Sequence, residues 1–137
     1  YDRLKLLVNA PLMNLREEVL KELKQMKVRT VAVLGTPTTV KERLYEFNGI
    51  KYLKPTAAEL NSLSLAIHNF NRGNDKEKQK YIVADIVRRC INKGAEAVIL
   101  GCTEFAVMLK EEKIPKIDSI SVLVNATINR FKAHSKI

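Results

Sequence analysis

Two short segments carry the side chains best suited to chemistry: Gly101-Cys102-Thr103-Glu104 and Gly35-Thr36-Pro37-Thr38-Thr39. Each follows an apolar run, Ala97 to Leu100 and Val31 to Leu34, and each opens on a glycine. Each then places hydroxyls or a thiol where a helix is about to begin. Backbone N–H groups at a helix start favour anions, so Thr36, Thr38, Thr39 and Thr103 suit a carboxylate-bearing substrate. A thiol just past a strand and near a helix N-terminus is expected to have a lowered pKa, which would make Cys102 a base or a nucleophile. Set against this, threonines at such positions often only cap the helix, and a lone cysteine is often a small buried hydrophobe. Glu104 is placed either to orient a substrate ammonium or to stabilise the first turn through the helix dipole.

The other candidates are weaker. Cys90 falls on the apolar side of a helix and reads as inert core. Asp118 follows a strand and reads first as a cap for the last helix. His68 reads as surface or packing, and His134, near the end of the chain, as bland; two isolated histidines make no metal site. Neither glycine-led loop is a dinucleotide-binding GxGxxG or a phosphate-binding GxxxxGK[ST].

Positioning two such loops side by side requires a particular frame. Leu12, Leu15, Val19, Leu20 and Leu23 recur at helical spacing, with Pro11 or Asn14 marking the start. Val28 to Leu34 predicts a strand. A helix through Val40, Leu44 and Phe47 follows, capped by Thr36 or Thr38 and stopped at Asn48-Gly49. Ile50 to Leu53 predicts a short strand. Thr56 and Glu59 form a capping box for a helix toward Phe70, which Arg72-Gly73-Asn74-Asp75 breaks. Lys76 to Asn92 predicts a long helix, Ala97 to Leu100 an apolar strand, and a short helix then runs to Leu109. Ile114 to Asp118 predicts an edge strand, and Ser119 to Phe131 the last helix. The chain thus divides into a leading helix (1–27), a strand–helix core (28–118) and a closing helix (119–133). This alternation predicts a single α/β domain: a three-layer α/β/α sandwich on a mainly parallel sheet of about four strands. Sites in such folds form beyond the carboxyl ends of the strands, so both loops should share one edge.

Composition narrows the function classes. The chain has 137 residues, one domain's worth, with 46% hydrophobic and 28% charged residues. Two cysteines exclude a disulfide-dense scaffold, and no apolar run is long enough to span a membrane. The net charge of +9 comes from 24 basic against 15 acidic residues, but the two signs are interleaved, as in Lys110-Glu111-Glu112-Lys113. A solvated surface explains this better than nucleic-acid or membrane binding. No signal-peptide pattern is present, so a cytoplasmic address is expected. The chain opens on Tyr1 rather than Met, so it is expected to have been processed or cut, or to be a piece of something longer.

At Cys102 these residues join a known pattern. Gly94-Ala95-Glu96-Ala97-Val98-Ile99-Leu100-Gly101-Cys102-Thr103-Glu104 resembles the second cysteine motif of the aspartate/glutamate racemase family. Val33-Leu34-Gly35-Thr36-Pro37-Thr38-Thr39-Val40 resembles that family's threonine-rich loop, and Tyr45 falls where the family often has a Tyr. Ile114-Pro115 and Ile117-Asp118-Ser119 resemble its closing segment, with Ser119 in place of the usual Thr and Leu123 where a His often stands. The resemblance runs from the first helix to Phe131. It implies a racemase that needs no cofactor, built from two similar α/β domains that each give one cysteine. Cys102 is then the second cysteine, Thr36, Thr38 or Thr39 bind the substrate carboxylate, and Glu104 supports the site.

Nothing before Leu12 resembles the first-domain cysteine loop, so the resemblance implies a missing N-terminal domain with the other cysteine. It also implies a small dicarboxylic amino acid as substrate, and a homodimer is a further expectation. Two readings compete with a racemase half. One is an inactive relative that binds a carboxylate or a protein partner. The other is an isomerase or lyase that uses Cys102 as a covalent nucleophile.

Overall fold

The computed structural model describes residues 1–134, and side chains as far as residue 133, so the expectation for the His134 side chain lies outside the described residues. The elements in chain order are α1 (Asp2–Leu7), α2 (Leu15–Met26), β1 (Thr30–Leu34), α3 (Pro37–Lys41), β2 (Lys51–Leu53), α4 (Ala57–Asn71), α5 (Lys76–Asn92), β3 (Ala97–Leu100), α6 (Thr103–Met108), β4 (Lys116–Asp118) and α7 (Ser119–His134). The four strands form one sheet in the order β2-β1-β3-β4, and every neighbouring pair is parallel. The expected three-layer α/β/α sandwich is the fold.

The central strands explain the layering. β1 and β3 are buried along almost their whole length, as a strand covered on both faces must be. Alternate side chains feed two separate cores. Ala32, Leu34, Val98 and Leu100 pack with Leu63, Val83, Ile86, Val87 and Phe105 from α4, α5 and α6. Val31, Val33, Ala97, Ile99 and Ile117 pack on the other face with Val19 and Leu23 of α2. The edge strands β2 and β4 are three residues each, and each begins with a lysine, which discourages further pairing.

Several boundaries differ from expectation. β1 starts at Thr30, not Val28, because the Glu96 carboxylate takes the N–H groups of both Arg29 and Thr30 at 2.7 Å. β4 starts at Lys116, since Pro115 has no N–H to give a ladder. The largest difference is α3. It ends at Lys41 rather than running on past Leu44 to Phe47. Arg43 takes a left-handed conformation (φ 53°), and the chain turns to bury Tyr45 while Leu44 stays largely exposed. Burial of one aromatic ring outweighs the two further helical turns that the apolar spacing suggested. The leading segment is also two helices rather than one, and α1 buries none of its residues.

The strand order places the site. The chain leaves β1 toward β2 and then returns past β1 to β3, so the direction of winding reverses between β1 and β3. The crevice outside the carboxyl ends of two such strands is where open α/β sheets bind ligands. Leu34 and Leu100, the last residues of the two strands, are direct partners in the parallel register.

Candidate active site

The Gly35 and Gly101 loops leave the sheet from adjacent positions on this edge. Gly101 N–H donates to the carbonyl of Leu34 at 2.7 Å, tying the second loop to the end of β1. A methyl group on Gly101 would lie 3.0 Å from the Tyr45 ring, 3.1 Å from Thr39 Cγ2 and 3.2 Å from the Leu34 carbonyl oxygen. One on Gly35 would lie 2.8 Å from Thr39 Cβ and Cγ2. Both glycines are therefore there for close approach, with Thr39 wedged between the loops and Tyr45 beneath Gly101. The turn that shortens α3 is what delivers Tyr45 to this place.

Thr36 is the N-cap of α3, and Pro37 opens the helix, as the sequence suggested. Its Oγ1 accepts from Thr39 N–H at 3.3 Å and lies 3.1 Å from the Thr39 hydroxyl. Thr39 is buried, whereas Thr36 and Thr38 are exposed. The hydroxyls thus do two jobs: Thr36 and Thr39 hold the loop, and Thr36 and Thr38 face solvent at the strand edge.

Cys102 occupies the N-cap position of α6 in extended conformation (φ −145°, ψ 137°). Its Sγ donates to Glu104 Oε2 at 2.7 Å, and Thr103 Oγ1 donates to the same oxygen at 2.8 Å. The other carboxylate oxygen, Oε1, accepts from Asn71 Nδ2 at 3.0 Å. These bonds hold the Glu104 carboxyl down to about 2, with the Cys102 contact the largest cause, then Asn71 and Thr103.

The expectation of a lowered thiol pKa is overturned. Burial and the hydrogen bond to the Glu104 carboxylate push Cys102 up to about 11. The N–H groups of Glu104 and Phe105 pull the other way, as a helix start should, but they are outweighed. Burial, and after it a carboxylate two residues on, reverses what the helix terminus alone would do. Cys102 in this state is a protonated acid with its proton aimed at Glu104.

The secondary candidates fall where expected or carry structure. Cys90 is 3% exposed within the α4–α5 core, and burial pushes its thiol up. His68 is exposed. Asp118 caps α7, accepting from Ile120 N–H at 3.0 Å and from the Ser121 hydroxyl at 2.6 Å. Ser119 is buried and donates to the Leu100 carbonyl at 2.9 Å, fixing β4 and α7 to the end of β3. Leu123, in the position where a His often stands in the resembling family, is partly exposed on α7. Asn71 was not anticipated. It lies 33 residues from Glu104, in a segment that reads only as the end of a helix. The connectivity carries a signal for it: α5 leads into β3 and must run opposite to it, so the α4–α5 turn has to sit over the carboxyl edge.

Fold and site together define a class of protein: a parallel α/β/α domain whose carboxyl-edge site sets a thiol and a carboxylate beside a threonine loop. Residues 1–127 match the Asp/Glu/hydantoin racemase family, and the chain belongs to that family. It is 29% identical to an aspartate racemase homologue from Pyrococcus horikoshii OT3, with a TM-score of 0.78 over 93% of this chain and 59% of that one. It is 25% identical to the Picrophilus torridus aspartate racemase, with a TM-score of 0.65 over 78% of this chain and 47% of that one. It therefore spans about half to three-fifths of these solved relatives. It is also 24% identical to an uncharacterised protein of the pnlA 3′ region of Pectobacterium carotovorum subsp. carotovorum, over 98% of this chain and 95% of that one. Among the described residues, no helix is long and apolar enough to cross a membrane.

Proposed function

We propose that this chain is one half of a cofactor-independent racemase for an acidic amino acid, and that Cys102 is one of its two proton-transferring thiols. Inverting a stereocentre requires a proton to leave one face of the α-carbon and another to arrive on the opposite face. Two groups flanking the substrate do this without the substrate turning over. Cys102 serves one face. Its counterpart belongs to a second domain, because Cys90 is sealed in the core.

The observation that carries the assignment is the Cys102–Glu104 pair at 2.7 Å, on the same strand edge as the Thr36–Thr39 hydroxyl pair. Thr36 and Thr38, with the first-turn N–H groups of α3, suit the substrate α-carboxylate. Donors there also stabilise the charge that spreads onto the carboxylate as the α-proton leaves. Glu104, anionic across the working pH range, suits the substrate ammonium. With Cys102 held up at about 11, the thiol begins as the acid and gives its proton to the carbanion. In the reverse direction it must act as a thiolate. A substrate ammonium beside Glu104 offsets the carboxylate charge and makes that form accessible. A 5-substituted hydantoin, the other substrate type in the family's description, has no ammonium to set against Glu104.

A missing half is supported by two further facts. The chain covers only 59% and 47% of the two solved relatives, although it covers 95% of the Pectobacterium protein. Ile120, Val124 and Ile128, spaced along one face of α7, are 40–49% exposed, and Leu4, Leu6 and Leu7 of α1 are exposed as well. Apolar side chains in helical register at a surface favour a protein partner.

The test is chiral chromatography of L- and D-aspartate and glutamate incubated with the chain alone and with the family's first half added. Turnover only in the mixture is the expected result. Racemisation by the chain alone would overturn the two-half assignment. A covalent substrate adduct on Cys102, seen by mass spectrometry, would replace proton transfer with nucleophilic catalysis.

A further inference from the structure

Asn71 is the last residue of α4, on an element that contributes nothing else to the site described above. Its amide reaches across the carboxyl edge to Glu104 Oε1 at 3.0 Å. The opposite carboxylate oxygen, Oε2, takes both the Cys102 thiol and the Thr103 hydroxyl. An ionised carboxylate accepts only, so the amide nitrogen must be the group that faces it. Cys102 and Thr103 both belong to the segment that carries Glu104, so they move with it. Asn71 is anchored in a different element. α4 is fixed at its other end by the Thr56–Glu59 capping box, and along its length by buried Leu63 and Ala66.

A carboxylate held through one oxygen can swing about its last torsion, whereas one held through both oxygens from two elements cannot. We propose that Asn71 is a positioning residue of this site, fixing the Glu104 carboxylate beneath the Cys102 thiol by a bond from outside the cysteine loop. The proposal deepens the assignment of Cys102 as a proton-transferring group, and rests on that assignment for its significance in turnover. Among the described residues, Glu104 is the charged group that acts on the Cys102 thiol, so after burial, which is the larger cause, the alignment of this one carboxylate bears on how tightly the thiol keeps its proton. Asn71 thereby links the α4–α5 turn to the acid–base state of the cysteine.

The test reads the thiol directly. Alkylation of Cys102 by iodoacetamide is followed against pH, with peptides resolved by mass spectrometry so that Cys90 is counted separately. Asn71→Ala and the similarly sized Asn71→Leu both remove the donor, and Asn71 is exposed, so folding is not at stake. Each should lower the pH midpoint of Cys102 alkylation and speed the reaction at pH 8 by about 1.5-fold, part of the roughly threefold expected for Glu104→Gln. In a Glu104→Gln background neither should move the midpoint, because a residue that acts through Glu104 has nothing left to act on. An unchanged midpoint in the otherwise native chain, or an equal shift in both backgrounds, would overturn the proposal. This readout needs no turnover. A chain that proved inactive on amino acids would sink the racemase assignment and leave the Asn71 result standing.

Discussion

At the residue scale the decisive group is the carboxylate of Glu104. A cysteine at a helix start would ordinarily be the more acidic thiol, and from the sequence alone Cys102 looks like one. Burial and the side chain two positions on reverse that. Glu104→Gln removes both the charge and the acceptor but leaves the burial, so the Cys102 midpoint should fall from about 11 and stay above the ordinary thiol value of 9.0. A fall of about one unit raises the thiolate fraction at pH 8 about tenfold, and the lower nucleophilicity of the more acidic thiolate trims the gain to about threefold in alkylation rate. Rates that stay at the native value would show that burial, not Glu104, sets the thiol. The same carboxylate affects stability at low pH. Its folded pKa of about 2 lies below the ordinary 4.5, so its stabilising contribution is complete above the ordinary value and is lost as pH falls from there to about 2. Chemical denaturation across that range should show a shallower acid loss in Glu104→Gln than in the native chain. The identity of Cys102, Thr103 and Glu104 as a unit is legible in the sequence, because they are adjacent. The sign of the thiol shift is not, because it depends on side-chain directions that adjacency does not fix.

At the element scale, the sheet and most helices are written plainly in the sequence. Ala97–Leu100, a short apolar run between Gly94 and Gly101, reads as a strand covered on both faces, and Thr56 with Glu59 announces a helix that the structure begins at the next residue. What local pattern misses is set by contacts between distant segments. The end of α3 is governed by Tyr45 fitting under Gly101, and the start of β1 by Glu96, across 66 residues. The glycines mark where two elements touch. Gly101→Ala would set a methyl group against the Leu34 carbonyl, and Gly35→Ala would overlap Thr39. Each should cost about 1–3 kcal/mol in denaturant unfolding and separate the two loops, whereas alanine at exposed Gly73 should leave the loops in place. On the helical layer, Leu63→Ala empties a fully buried position of α4 and should cost about 2–5 kcal/mol. Because α4 carries Asn71, the same change should loosen Glu104 without touching it. A Leu63→Ala chain of undiminished stability would contradict the placement of α4 in the core.

At the scale of the whole molecule, one parallel sheet brings the cysteine loop and the threonine loop to a single edge. Both faces of the sheet are covered, and Cys102 lies half-buried at its carboxyl edge while Cys90 is buried in the core. Net charge and composition point to a surface that is merely well solvated. The apolar face of α7 is the exception, and under the proposed function it is a face that a second domain would bury. The family is legible from the Cys-Thr-Glu segment and the threonine loop. The identity of the substrate is not, since the groups that would read its second carboxylate are not among those the two loops supply. The proton-transfer role of Cys102 is tested most directly by exchange at the α-carbon. Aspartate and glutamate are incubated in D₂O with the full natural polypeptide, native or Cys102→Ala, and the α-proton signal is followed by NMR while substrate binding is measured in parallel. Loss of exchange by about a thousandfold or more for the enantiomer whose α-proton Cys102 faces, with binding retained, is the predicted result for a group that moves the proton in the transition state. Exchange of both enantiomers at the native rate in Cys102→Ala would contradict it.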